Sequence, residues 1–251
     1  MPSVPETNQR VARIHALSHT GEVRRRNEDA VAIPLADDLI FSWSGVVPLD
    51  DCWVLLADGM GGHVAGEVAS ELALAVLRPL MPTIRNGADI ARAIAEADTA
   101  LYLAMQMRPE LQGMGTTLAG VVFVGDDALL FNVGDSRIYA FAKGALDQLS
   151  IDDAIEGQLT QCLGGSQNQV PLSPHVVRHP FRHGALLLLC SDGLTDMVSD
   201  EAITQILSAR PANAATRLVL AALQAGGFDN VSVVALEVIN HRDTSARTET
   251  G

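Results

Sequence analysis

Hydrophobic positions along the chain switch between a period of two and a period near 3.6, and the switches divide it into strand-like and helix-like blocks. Residues 11–18 alternate and predict a first strand, followed by strand-like runs at 30–33, 39–43 and 53–57. Residues 66–81 predict an amphipathic helix with Val68, Leu72, Ala75, Val76 and Leu80 on one face, ended or kinked by Pro79 and Pro82. Residues 88–107 predict a second helix, with Ile90, Ile94, Ala97, Leu101 and Met105 in one stripe. Such stripes, Met105 and Met107 included, read as core.

After Gly113 to Thr117 the period returns to two. Residues 118–124, 129–133 and 137–141 predict strands, the first two joined by Gly125-Asp126-Asp127, which has hairpin chemistry. Residues 150–174 are polar and Gly-rich and carry no clear period. Strands at 175–179 and 185–190, helices at 201–208 and 212–225, and a last strand at 231–239 complete the set. Two helices in succession between strand groups predict a helical pair packed on a sheet. No internal repeat or low-complexity linker interrupts the pattern. One domain is therefore expected over residues 11–239, with a flexible start (1–10) and a disordered polar tail (240–251).

Composition narrows the function classes. With 48% hydrophobic residues the chain has ample material for a core, and its formal charge of −13 argues against non-specific binding to nucleic acid or anionic membranes. The longest apolar runs fall far short of a membrane span, and the N-terminus lacks a secretory h-region. Cys52, Cys162 and Cys190 are odd in number and scattered, which suits free thiols in a reducing compartment. A soluble, cytoplasmic protein is expected.

The candidate chemistry lies in the carboxylates. The run Trp53-Val54-Leu55-Leu56-Ala57 reads as a buried strand that ends on Asp58, where Gly59, Gly61 and Gly62 leave the backbone bare. Asp135, Asp192 and Asp229 also sit beside glycines or in short glycine-containing turns at inferred strand ends, and Glu28 and Asp29 occupy a strand entry. Strand ends from distant sequence converge at one rim in a layered fold, and carboxylates crowded there repel unless cations neutralise them. The donor set offers only oxygen, because no His or Cys pair has metal spacing, and that favours Mg²⁺ or Mn²⁺ over Zn²⁺. Four separate surface turns are the competing reading.

Six motifs in order make the pattern specific: Gly21-Glu22-Val23-Arg24-Arg25-Arg26-Asn27-Glu28-Asp29, Ala57-Asp58-Gly59-Met60-Gly61-Gly62-His63, Gly113-Met114-Gly115-Thr116-Thr117, Asn132-Val133-Gly134-Asp135-Ser136-Arg137, Cys190-Ser191-Asp192-Gly193-Leu194 and Gly227-Phe228-Asp229-Asn230-Val231. Over residues 21–231 the chain resembles bacterial members of the metal-dependent type 2C (PPM) serine/threonine protein phosphatases. The resemblance implies an α+β, four-layer α-β-β-α sandwich, with two central, mainly antiparallel sheets flanked by helix pairs. It implies two Mn²⁺ or Mg²⁺ ions, bridged by Asp58. Asp192 and Asp229 would complete the first site, and the Gly59 carbonyl would touch the second. Glu28 and Asp29 would hold metal-bound waters, Asp135 with Asp192 a third, weaker metal, and Arg24 the substrate phosphate. Turnover would proceed by direct attack of a metal-bridging hydroxide on phosphoserine or phosphothreonine, with no covalent phosphoenzyme. The partners implied are phosphorylated proteins and the bacterial Ser/Thr kinase that makes them; the protein is expected as a monomer.

Two departures stand out. Where eukaryotic relatives often carry a His, this chain has Met60, which leaves a metal-bound water to protonate the leaving group; His63 nearby reads as structural or exposed. The flap that covers the site in bacterial relatives is cut down to about residues 150–158, which predicts an open cleft. The alternatives are a small-molecule phosphohydrolase, or a catalytically inactive relative serving as a binding module. Arg25 and Arg26 read as surface charge, with substrate attraction as the competing role.

Overall fold

The computed structural model describes residues 10–36, 39–61, 65–181 and 184–240. The elements run β1 (Arg10–His19), β2 (Asp29–Ala32), β3 (Ser42–Pro48), β4 (Trp53–Met60), α1 (Ala65–Leu77), α2 (Gly87–Met107), β5 (Gly115–Thr116), β6 (Leu118–Val124) and β7 (Asp127–Val133). They continue with β8 (Arg137–Ala142), β9 (Ala145–Gln148), β10 (Ala154–Ile155), β11 (Gln158–Leu159), β12 (Leu163–Gly164), β13 (His175–Pro180) and β14 (Leu186–Cys190). The chain closes on α3 (Asp192–Thr195), α4 (Asp200–Ser208), α5 (Ala214–Gln224) and β15 (Val231–Asn240).

Two antiparallel sheets result. One has the order β3-β1-β15-β14-β8-β9; the other runs β12-β5-β4-β6-β7-β13, with β2 paired to β4. The central strands are nearly continuous apolar runs because both of their faces are buried. Alternation then decides which layer each side chain enters. On β4, Val54 and Leu56 point between the sheets, whereas Leu55 and Ala57 pack under α1 and α2. On β14, Leu187 and Leu189 join the inter-sheet core, and Leu188 and Cys190 face α4 and α5. Three stacked cores therefore separate four layers, which is the α+β sandwich that the resemblance implies.

The second helix forms with the stripe that was read, except that Met107, read as core, ends the helix exposed to solvent. Ile90, Ile94, Ala97, Leu101 and Met105 are all buried, and Asn86 caps its start by accepting from the amides of Ala88 and Asp89. The first helix buries a different face from the one read. Ala69, Ser70, Ala73, Leu74 and Leu77 are inside, Val68, Leu72, Val76 and Leu80 pack at the margin, and Ala75 is exposed. Small residues face inward because α1 lies close against the strand ends: a Cβ added at Gly59 would sit 2.1 Å from the Gly66 carbonyl oxygen.

Three further differences follow from local contacts. The strand read at 39–43 begins at Ser42 and runs to Pro48, with the Trp43 ring lying over Gly45. β4 does not stop at Asp58 but continues to Met60, where Gly59 and Met60 pair with β5. The strands read in succession at 129–133 and 137–141 do not pair: β7 and β8 belong to opposite sheets, and Gly134-Asp135-Ser136 crosses between them. His63 and the two tails, 1–9 and 241–251, lie outside the described residues. No described helix is long and apolar enough to cross a membrane.

Candidate active site

One end of the sandwich opens into a cleft of about 670 Å³ whose lining includes Arg24, Glu28, Asp58, Gly59, Asp135, Asp192 and Asp229. Both sheets contribute. Asp58 sits on β4 of one sheet, Asp192 follows β14 of the other, and Asp229 precedes β15. Asp29 stands at the head of β2 directly across from Asp58, as its register partner. Asp135 lies on the link that crosses between sheets. All eight residues singled out in the sequence thus gather at one rim, Asp29 just beneath the cleft surface.

Backbone pairing fixes Asp58. Its amide donates to Thr117 Oγ1 at 3.0 Å, and its carbonyl accepts from Thr116 Oγ1 at 2.9 Å and from the Thr117 amide at 2.9 Å. Gly59 donates to the Glu28 carbonyl at 3.1 Å, which draws the Glu28 loop against the same strand. Asn230 holds that loop from the far side: its side chain donates to the carbonyls of Thr20 and Arg26, each at 2.8 Å, and accepts from the Glu28 amide at 2.8 Å.

The electrostatics are those of too many negative charges in too little water. Burial, then the charges of Asp29 and Asp192, push the Asp58 carboxyl well above its ordinary range. Burial and the neighbouring Asp135 raise Asp192 to about 6. Asp58 and Asp192 also bear on each other as neighbouring carboxyl groups, which disfavours ionising both. Asp29 is raised to about 7, chiefly by burial, although hydrogen bonds from Ser232 and Ser191 oppose the shift. Ser191 Oγ donates to Asp29 Oδ2 at 2.8 Å, while Asp29 Oδ1 is buried with no partner. Burial also raises Asp135, helped by the charges of Asp152 and Asp196, and raises Glu28 against the pull of Arg24. Asp229 instead pairs with Arg24, Nη2 to Oδ2 at 2.6 Å.

Among the described residues, no three of His, Cys, Asp or Glu close into a ready-made metal cage. The donor set nevertheless fits divalent cations. It is oxygen-only, burial and crowding raise its members' affinity for positive charge, and it contains an orphaned buried carboxylate oxygen.

The sequence reading gave no role to Asn230, Thr117, Ser191 or Asp196. Asn230 and Thr117 stand inside the quoted motifs, and a polar side chain beside a strand-end aspartate is the available signal for them. Asp196 has no such signal, because it reaches the site only through the single turn of α3.

The protein phosphatase 2C profile matches residues 33–225, and the chain belongs to that family. It is 38% identical to the serine/threonine protein phosphatase PstP of Mycobacterium tuberculosis, an alignment covering 92% of this chain and 46% of the relative. This chain thus spans about half the length of that relative. The serine/threonine phosphatase stp of Listeria monocytogenes is 30% identical, with 86% and 92% covered. Among solved structures, the catalytic domain of PstP in complex with two manganese ions superposes with a TM-score of 0.76 at 37% identity, covering 92% of this chain and all of that one.

Proposed function

We infer that this protein is a metal-dependent protein serine/threonine phosphatase. The observation that carries the reading is the convergence of Asp29, Asp58, Asp192 and Asp229 from both sheets at one rim, where burial and mutual charge raise the first three and Asp229 pairs with Arg24.

Asp58 would reach two cations, Mn²⁺ or Mg²⁺, with Asp192 and Asp229 completing the first site and the Gly59 carbonyl the second. Asp135 and Asp192 offer a third, weaker site. Bound there, the cations supply Lewis acidity and an activated water for in-line attack on phosphorus. The chain's own residues do the rest. Glu28 and Asp29 stand behind the ligands as hydrogen-bond acceptors. Arg24, half-exposed beside Asp229, is within reach of a phosphoryl group at the cleft mouth, and its planar fork spans two phosphoryl oxygens. Met60 lines the cleft and has no proton to give, so protonation of the leaving alkoxide falls to water in the cleft. Over the cleft, the β10–β11 hairpin contributes Gly157 and Leu159, and we read it as a shortened flap that leaves the entrance open to protein segments.

A monomer remains the expected state. Three free cysteines suit a reducing cytoplasm, where a Ser/Thr kinase would make the substrates. Purified protein should hydrolyse a phosphothreonine peptide with Mn²⁺ or Mg²⁺ and stop when EDTA is added. Folded protein that is inactive with either metal would favour the binding-module reading, and preference for nucleotides over phosphopeptides would favour the small-molecule one.

A further inference from the structure

Three consecutive arginines, Arg24, Arg25 and Arg26, line the cleft of a chain that carries only 17 Lys and Arg against 30 Asp and Glu. Two of them are engaged. Arg24 pairs with Asp229 at 2.6 Å, and Arg26 pairs with Glu67 at 3.1 Å. Arg25 is exposed and makes no hydrogen bond or ion pair among the described residues. It therefore contributes nothing to holding the loop, and its charge faces the space that a substrate enters.

The loop itself is fixed on both sides of Arg25. The Glu22 amide donates to the Gly227 carbonyl at 2.8 Å, and Asn230 holds the Thr20 and Arg26 carbonyls. A guanidinium on a clamped backbone loses less freedom on binding an anion than one on a mobile segment. The β10–β11 hairpin lines the cleft with Gly157 and Leu159, while its one charged residue, the exposed Glu156 at the turn, is not among the lining residues. The carboxylates line the cleft with Arg24, where the phosphoryl group and the cations would sit, so Arg25, unpaired among the described residues, is a cation that the flanks of a peptide would meet.

We propose that Arg25 is a specificity-determining residue, selecting phosphorylated segments that carry a second anion within a residue or two of the phosphoserine or phosphothreonine. That anion is a carboxylate or a second phosphoryl group. The inference rests on the protein-phosphatase reading above and deepens it. Arginine matches both anions through its two-pronged donor face, and it disfavours a lysine at the same place.

The test compares kcat/KM, with Mn²⁺ and at fixed ionic strength, for phosphothreonine peptides with neutral, Asp, Lys or second-phosphothreonine flanks. Wild-type protein should prefer the Asp-flanked peptide over the neutral one by about three- to fivefold, the scale of one solvent-exposed ion pair. Arg25→Ala should bring that ratio to about one, and Arg25→Glu should invert it in favour of the Lys-flanked peptide. The more strongly preferred of the Asp-flanked and doubly phosphorylated peptides identifies the anion. Equal kcat/KM across the set in wild type, or a preference that survives Arg25→Ala, would overturn the inference while leaving the phosphatase reading intact. Failure of folded wild-type protein to turn over any of the peptides would overturn both.

Discussion

At Asp58 a strand register, a crowded buried carboxyl and the proposed cation site meet in one residue, and its replacement separates them. Asn keeps the backbone bonds to Thr116 and Thr117 but cannot carry the bridging charge. Asp58→Asn and Asp192→Asn should each cut phosphopeptide turnover by on the order of a hundredfold or more, since even residues that only support metal ligands cost ten- to a hundredfold. Neither should lower the melting temperature of metal-free protein, because each removes one of several repelling carboxyl groups. A variant at Asp192 with wild-type turnover would refute its place in the site. Arg24 makes a different prediction. In its proposed role it would hold the substrate phosphate from the exposed side, so Arg24→Ala should raise KM several-fold with a smaller effect on kcat. Steady-state kinetics with and without excess Mn²⁺ separate that outcome from loss of metal.

Among the elements, the contact of α1 with β4 decides how tightly the rim is built. Gly59→Ala would place a methyl 2.1 Å from the Gly66 carbonyl oxygen and 2.7 Å from that of Glu28, both backbone atoms that cannot rotate aside. Destabilisation of about 1–3 kcal/mol is expected, visible in denaturant unfolding with an unchanged m-value. This contact also explains what the sequence concealed. Period alone put Val68, Leu72 and Val76 inward, and that face would suit a helix packed at ordinary distance. The tight approach at Gly66 selects Ala69, Ser70 and Ala73 instead. Elements whose partners lie at ordinary spacing, such as α2 and β14, were legible because burial follows their period directly. The flat reading of 150–174 failed for the opposite reason. Its short strands carry little periodic signal of their own, and the segment is held by side chains from elsewhere, Asn132 on the Ile151 carbonyl and Tyr102 on the Gly164 carbonyl of β12, and by Gln161 within it, which bonds Ser173. The carboxylates were legible one by one as strand-end residues beside glycine. Their convergence depends on β7 and β8 entering opposite sheets, which local sequence does not encode.

For the molecule as a whole, the rim is a reservoir of repulsion that a cation relieves. In the folded, metal-free protein Asp29 and Asp192 titrate near 7 and 6, above the ordinary aspartate value of 3.8. Between those limits the folded chain holds protons that the unfolded chain has already released. Stability contributed by these groups is therefore complete at low pH and lost as pH rises from about 4 to about 7. With EDTA present, their contribution should lower the melting temperature across that interval. On the proposed assignment Mn²⁺ would bind the ionised carboxylates of the folded state, so its stabilising effect should grow over the same interval. At a free concentration of about one hundred times the dissociation constant it should add about 2.7 kcal/mol. For a chain of this size that corresponds to a rise of roughly 5–10 °C near neutral pH. Asp192→Asn should remove most of the rise. If Mn²⁺ stabilised the protein equally at pH 4.5 and 7.5, the cation would be binding away from these carboxylates, and the rim would lose its claim to be the metal site.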